Sequence, residues 1–143
     1  MIKRFLIIIC ISESVIACLY GNASELVVAI DIGHSKQIGG SLSARGKPEY
    51  YFNKNLGTEL FEAVKKNGYS KSILINKDGD LDGNVGVRKR TVIAKEADAD
   101  LLISIHHDSV QEVLLKKWIF EEEECLYNDD YSGYSIIISS RNS

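Results

Sequence analysis

The apolar run from Leu26 to Ile32 is the strongest structural constraint in this chain of 143 residues. It is β-branched or otherwise apolar at nearly every position and contains one acidic residue, Asp31. A strand that is apolar without alternation is typical of a parallel sheet whose two faces are both covered. Similar short runs at 72–76 and 101–106 predict two more strands. We therefore expect the first strand to be buried on both faces.

Two segments between these apolar runs have the pattern of helices that cover a sheet. The first is predicted to begin near Pro48, a residue that suits the first turn of a helix, and to end at Asn67-Gly68. Its apolar residues recur every four positions and are expected to face the sheet: Phe52, Leu56, Leu60 and Val64. The second helix is predicted from about 84 to 97. Its expected inward residues are Val87, Thr91 and either Ala94 or Val92.

The order of these elements predicts the fold class. Strands and helices alternate as β-α-β-α-β, an order that implies right-handed crossovers and parallel strand pairing. We expect an α/β fold with a single domain, in which a mostly parallel twisted sheet is flanked by helices. A further strand is predicted at 134–139, after a region of mixed pattern at 113–125.

The composition is that of a globular protein and excludes several other classes. Hydrophobic residues make up 45% of the chain, with one proline and 11 glycines, so neither a disordered chain nor a fibre is indicated. The formal net charge is -3, and lysine and arginine form no run longer than the three residues at 88–90. Nucleic acid is therefore not expected as a partner.

The first 23 residues have the features of an export signal. A basic start at Lys3-Arg4 precedes an apolar stretch at 5–11 that is too short to cross a membrane. Small residues predict cleavage after Ala23, which would leave a mature domain at 24–143 in the periplasm or cell envelope. Alternatively, 15–18 resembles a bacterial lipobox, with a signal that ends at residue 17 and a membrane anchor through lipidated Cys18. A plain apolar helix or strand is the third interpretation.

Three candidate metal ligands lie at the ends of predicted elements. His34 follows the first strand, Glu49 opens the first helix, and His106 ends the third strand. Because the carboxyl ends of neighbouring parallel strands meet at one edge, these residues can come together there. Two histidines and one carboxylate suit a catalytic zinc that keeps a position open for water. Taken singly, each also has an ordinary explanation, as a loop histidine, a charge at a helix N-terminus and a strand-end histidine.

Asp31 and Arg90 are candidates for supporting roles around this site. Asp31 is close enough in sequence to His34 to orient a ligating histidine. Arg90 lies on the second predicted helix, where it can pair with Asp31 or orient the loop around the metal. A solvated position on the helix surface is the alternative for Arg90.

Four segments together resemble the zinc-dependent N-acetylmuramoyl-L-alanine amidases. They are Ile30-Asp-Ile-Gly-His34, Gly46-Lys-Pro-Glu49, Val87-Arg-Lys-Arg90 with Ala94, and Ala99-Asp-Leu-Leu-Ile-Ser-Ile-His106. The resemblance extends over about residues 26 to 142. It implies that Zn²⁺ is bound by His34, Glu49 and His106. It also implies hydrolysis of the amide bond between N-acetylmuramic acid and L-alanine in peptidoglycan, in wall turnover or cell separation.

The resemblance further implies a general-base glutamate on a late strand, beyond Ser143. The catalytic residue is therefore unassigned, and the amidase-like domain is expected to be truncated at its C-terminus. The acidic run at 121–124 does not match that glutamate's motif, and His107 stands where the family usually has a small residue. We expect His107 to be a neighbour of the site and not a ligand.

Two rival hypotheses and one open question accompany the amidase interpretation. The chain is alternatively an inactive remnant that at most binds zinc or peptidoglycan fragments. A metal-free α/β binding module is the third hypothesis. The sequence leaves open whether an activator protein is a partner.

Overall fold

A three-stranded sheet forms the centre of the fold in the computed structural model, which describes residues 25–138. Its strands are β1 (Val28–Ile32), β2 (Ile73–Ile75) and β3 (Leu101–Ile105), in the order β2-β1-β3. Both neighbouring pairs are parallel. All five residues of β1 are buried, which confirms the prediction that the first strand is covered on both faces.

Two helices cover opposite faces of this sheet, α1 (Glu49–Lys66) and α2 (Gly83–Glu96). Alternate residues of β1 point to opposite sides, as the pleat of a strand requires. Ile30 packs toward Leu60 and Val64 of α1, while Ala29 packs with Ala94 of α2. The predicted α/β fold with a parallel sheet between helices is confirmed.

The inward face of α1 is more polar near its start than the apolar pattern predicted. The buried residues of this helix are Glu49, Tyr50, Asn53 and Gly57. Leu60 and Val64 pack against the sheet as predicted. The predicted inward positions in the first half of the helix were wrong, since Leu56 is 47% exposed and Phe52 is only partly buried. The first turns of α1 face the edge of the sheet where the polar candidate residues lie, so polar side chains occupy the inward positions there.

The inward face of α2 also differs from the prediction. Gly86, Arg90 and Ala94 are its buried residues, so only Ala94 was predicted correctly. Val87 is 56% exposed, and Thr91 and Val92 are exposed as well. At the other two positions the buried residue lies one place earlier than predicted, and one of them is the charged residue Arg90.

An antiparallel hairpin follows the sheet, after a short 3₁₀ turn at Glu112–Leu114. Its strands are β4 (Lys116–Phe120) and β5 (Glu123–Tyr127). The two connecting residues, Glu121 and Glu122, have φ values of 50° and 69°, as a type I′ turn requires. The Trp118 indole nitrogen donates to the carbonyl of Ala44 over 2.8 Å, which ties the hairpin to the loop after β1.

The strand predicted at 134–139 is wrong over its described part, 134–138, which forms no strand. Tyr134, Ile136, Ile137 and Ile138 are exposed. High β-propensity alone does not make a strand, because a strand also needs a partner for its backbone groups. Residue 139 and the predicted export signal at 1–23, with Cys18, lie outside the described residues. No helix within 25–138 combines the length and apolar character needed to cross a membrane.

Candidate metal centre

His34, Glu49 and His106 meet at the carboxyl-terminal edge of the sheet. Each offers one ligand atom, and these atoms all lie within 4.8 Å of one another. Glu49 stands between the two histidines, with Oε2 3.2 Å from Nε2 of His34 and Oε1 3.2 Å from Nδ1 of His106. The structure therefore brings together the three candidate ligands that the sequence placed at separate element ends.

The backbone at His34 adopts a conformation that is uncommon for a residue with a side chain. Its φ of 65° lies in the left-handed region, which costs about 1–2 kcal/mol for an L-residue. The amide of Asn76 and the guanidinium of Arg90 both donate to the carbonyl of His34, each over 2.6 Å. These two buried donors hold the peptide group in the orientation that turns the His34 side chain toward Glu49.

Arg90 and Asp31 form a buried pair beneath this loop. Arg90 is 5% exposed and Asp31 is 6% exposed, so the alternative of a solvated Arg90 is wrong. Nε of Arg90 lies 3.7 Å from Oδ1 of Asp31, and the hydroxyl of Ser104 donates to Oδ2 over 2.8 Å. Arg90 also donates to the carbonyl of Leu81. The Arg90 side chain thus connects α2 with β1, with the loop after β1 and with the segment that precedes α2.

Glu49 is buried, and its carboxylate accepts hydrogen bonds on both oxygens. Oε1 accepts from the amide of Asn53 over 3.1 Å and from the backbone N–H of His107 over 2.9 Å. Oε2 accepts from the backbone N–H of Ser41 over 3.1 Å.

These contacts decide the protonation state of Glu49. Burial by itself raises the pKa of Glu49. The hydrogen bonds from Asn53 and from the two backbone N–H groups, together with the neighbouring His34, outweigh burial and hold the pKa below its ordinary value. Glu49 is therefore an anion at neutral pH, the form that a metal ligand requires.

Three further residues of the site were missed by sequence reasoning: Asn53, Asn76 and Gly40. Asn53 lies four residues after Glu49 on the same helix, and this i,i+4 spacing was a usable signal. Asn76 follows β2 just as His34 follows β1, so the strand-end argument applied to it as well. No sequence signal marked Gly40, whose role depends on a close approach in three dimensions.

Two glycines leave room for the ligand set. A Cβ at Gly40 would lie 2.6 Å from Oε2 of Glu49 and 2.7 Å from Nε2 of His34. A Cβ at Gly33 would lie 2.6 Å from Nε2 of His106. Nitrogen and oxygen ligands of tetrahedral zinc lie about 3.3 Å from one another, given bonds of about 2.0 Å. Each histidine lies 3.2 Å from a different oxygen of Glu49, and one donor atom from each of the three residues lies within 4.8 Å of the others, so the donor types suit Zn²⁺ and their spacing is compatible with a shared metal ion.

The cluster lies between two clefts. The first, called here the α2 cleft, has a volume of about 450 Å³ and is lined by His34, His106 and Arg90 among others. The second, called here the hairpin cleft, has a volume of about 330 Å³ and lies between Glu49, the loop at 41–44 and the β4–β5 hairpin. His107 lines this second cleft and is not part of the ligand cluster.

The fold and the site together define an α/β protein with a His–Glu–His cluster at the carboxyl edge of its parallel sheet. The chain belongs to the N-acetylmuramoyl-L-alanine amidase family Amidase_3, whose model matches residues 28–143. A relative from Buchnera aphidicola subsp. Baizongia pistaciae, provisionally named an N-acetylmuramoyl-L-alanine amidase, is 31% identical over 86 residues. That match covers 59% of this chain and 37% of the relative.

Solved amidase structures share the fold over a similar part of the chain. The N-acetylmuramoyl-L-alanine amidase AmiC2 of Nostoc punctiforme aligns with a TM-score of 0.52 and 25% identity, over 62% of this chain and 47% of that protein. The catalytic domain of CwlV from Bacillus (Paenibacillus) polymyxa var. colistinus aligns with a TM-score of 0.51 and 25% identity. That alignment covers 59% of this chain and 46% of the CwlV domain. The chain thus spans less than half the length of each of these relatives.

Proposed function

We propose that this chain binds Zn²⁺ through His34, Glu49 and His106 and hydrolyses the amide bond between N-acetylmuramic acid and L-alanine in peptidoglycan. The observation that supports this most directly is the spacing of the three donor atoms, all within 4.8 Å, in a member of the amidase family. Two imidazoles and one ionised carboxylate leave a tetrahedral position free, which is the arrangement of catalytic zinc sites.

The residues in and around the cluster have different roles in the proposed site. When bound, zinc supplies a water whose pKa is lowered to about 7 and Lewis acidity toward the substrate carbonyl. Glu49 supplies a fixed negative charge, because its pKa is lowered. Arg90 and Asn76 fix the peptide group of His34, and the lack of a Cβ at Gly40 keeps that position clear of the donor atoms.

Metal analysis of purified protein tests the ligand set. We expect about one zinc per chain in the wild type and a large loss of zinc in His34→Ala and His106→Ala. His107→Ala is the matched control, because it removes an imidazole next to His106 that lies outside the cluster. Equal zinc in all four proteins would disprove the proposed ligands.

A second candidate function is zinc binding without turnover, and the bonding of Glu49 favours it. Glu49 is the single carboxylate in the cluster among residues 25–138. Both of its oxygens accept N–H donors, which leaves it poorly placed to pass a proton to a leaving amine. Without general acid–base assistance the rate falls by about 10²–10⁴-fold.

Release of peptides from purified sacculi separates the two candidates. The amidase releases stem peptides that begin with L-alanine, in amounts that grow with time and exceed the amount of protein. A protein that only binds the wall shows zinc and sedimentation with sacculi but no such release. We further propose that the chain is exported to the periplasm or cell envelope, in keeping with a wall substrate, either through cleavage after Ala23 or through an anchor at Cys18.

A further inference from the structure

We propose that the hairpin cleft is a subsite for an uncharged N-acetylated sugar, with Tyr131 as its stacking surface and His107 as a hydrogen-bond acceptor. The inference rests on the proposed function, because it concerns the glycan side of the same substrate. The cleft begins at Glu49 of the candidate metal centre and extends along the β4–β5 hairpin. A bound sugar there would lie next to the candidate metal centre.

The aromatic lining is the first support for this proposal. Phe52, Tyr127 and Tyr131 all line the cleft. The C–H face of a sugar ring is apolar and packs on aromatic rings, whose faces carry negative charge. Tyr131 is 61% exposed, so its ring is available to a ligand and its removal leaves no void in the core. The cleft volume of about 330 Å³ falls in the range of about 300–1,000 Å³ that small-ligand sites have.

His107 contributes a polar group whose hydrogen-bonding role can be assigned. The amide nitrogen of Asn53 donates to Glu49 over 3.1 Å and to the carbonyl of Gly33 over 3.2 Å, which fixes the orientation of that amide. Its oxygen, Oδ1, therefore accepts from Nδ1 of His107 over 2.6 Å. In the tautomer that this contact selects, Nδ1 carries the hydrogen and Nε2 of His107 is the acceptor. An acetamido N–H or a ring hydroxyl is the kind of donor that it would receive.

The charges of the lining determine which half of the substrate fits. Glu49 and Asp108 are the charged residues of the lining, and neither lysine nor arginine is found among the described residues of this cleft. Glu49 is a Zn²⁺ ligand in the proposed function, so Asp108 is the lining residue whose negative charge stays uncompensated; it repels a stem-peptide carboxylate, whereas a neutral sugar has no charge to desolvate. Sugar hydroxyls can instead donate to Asp108 or exchange hydrogen bonds with Asn128 and Ser109, which are also in the lining.

The proposal is tested by calorimetric titration of the full chain with the trimer of N-acetylglucosamine. We expect saturable binding to the wild type. Tyr131→Ala and His107→Ala should each raise the dissociation constant by about tenfold, which corresponds to about 1.4 kcal/mol. Tyr134→Ala is the matched control, because Tyr134 is 92% exposed and lies outside the cleft, so its dissociation constant should stay within about twofold of the wild type.

Two results would overturn the sugar subsite: absence of saturable binding by the wild type, or equal binding by all four proteins. Competition by the acidic dipeptide L-alanyl-D-glutamate would also contradict it. Zinc content and peptide release, measured on the same samples, keep the two proposals apart. Trimer binding by a protein that holds no zinc and releases no peptide would disprove the amidase function but not the subsite. Zinc content and peptide release without trimer binding would disprove the subsite but not the amidase function.

Discussion

Arg90 donates to the backbone carbonyl of His34 over 2.6 Å while its Nε lies 3.7 Å from the carboxylate of Asp31. A buried charge on α2 thereby positions the peptide group of a candidate zinc ligand on the loop after β1. The same guanidinium neutralises a carboxylate that would otherwise be buried alone. Loss of Arg90 therefore affects the stability of the fold and the geometry of the site together.

Arg90→Ala is expected to lower the free energy of unfolding by about 3–5 kcal/mol, because it leaves Asp31 buried without its partner. Zinc affinity should fall as well, since the carbonyl of His34 loses one of its two donors. Urea unfolding followed by circular dichroism measures the first effect, and competition with a chromogenic chelator measures the second. Arg88→Ala, at an exposed position of the same helix, is the control and should change stability by less than about 0.5 kcal/mol. Equal stabilities of the two variants would contradict a structural role for the Arg90–Asp31 pair.

Gly40→Ala is expected to abolish zinc binding. The new Cβ would lie 2.6 Å from Oε2 of Glu49 and 2.7 Å from Nε2 of His34. Gly46→Ala provides the control, because Gly46 has a φ of 72°, close to the 79° of Gly40, and a Cβ added there would have no neighbour within 4 Å. Both variants should lose about 1–2 kcal/mol of stability from the left-handed backbone, but only Gly40→Ala should lose the metal. Retention of zinc by Gly40→Ala would show that the loop can move away from the ligands.

The stability of the metal-free protein should depend on pH through Glu49. Its pKa in the folded chain is lowered below the ordinary value of 4.5, so the ionised form stabilises the fold above that pH. This contribution is lost as the pH falls through the lowered pKa. The difference in unfolding free energy between wild type and Glu49→Gln should therefore be largest above pH 4.5 and shrink on acidification. Glu59→Gln, at an exposed position of α1, corrects for the loss of one negative charge. A difference that grows on acidification would contradict the assignment.

The N-terminal prediction can be checked by the mass of the mature chain expressed in a bacterial host. Cleavage after Ala23 gives a chain that begins at Ser24 and is recovered without detergent. Processing at Cys18 gives a chain that carries lipid and needs detergent for extraction. Cys18→Ala should leave the first outcome unchanged and abolish the second. An intact N-terminus on the chain would contradict both forms of the export proposal.

Most of the sheet and both helices could be predicted, because burial imposes clear periods on apolar residues. The strand Val28–Ile32 is apolar on both faces, and no polar side chain other than Asp31 interrupts it. The candidate ligands were found by the same reasoning, since His34 and His106 end strands that are neighbours in the sheet. Position in the topology made these residues candidates, and the resemblance of the surrounding segments to the zinc amidases assigned them as a ligand set.

The helix faces could not be predicted where polar groups are buried. Asn53 and Arg90 point inward because they bond to Glu49 and His34. An apolar period assigns their places to the neighbouring residues Phe52 and Thr91. Side-chain hydrogen bonds between specific residues of the folded chain produce no periodic pattern in the sequence. The hairpin was hidden for a different reason. Its turn contains Glu121 and Glu122 at positions of positive φ, where asparagine and glycine are the usual signal.

The left-handed backbone of His34 limits which metals a redesigned site could select. Only a few residue types with side chains, chiefly asparagine, aspartate and histidine, enter this region often. Cysteine, the soft ligand that favours copper(I) or iron–sulfur clusters, is not among them. Asn76 and Arg90 hold the peptide group in place, so relaxation of the backbone would break two partly buried hydrogen bonds. Exchange of ligand chemistry is therefore easier at position 106, where the backbone is not left-handed.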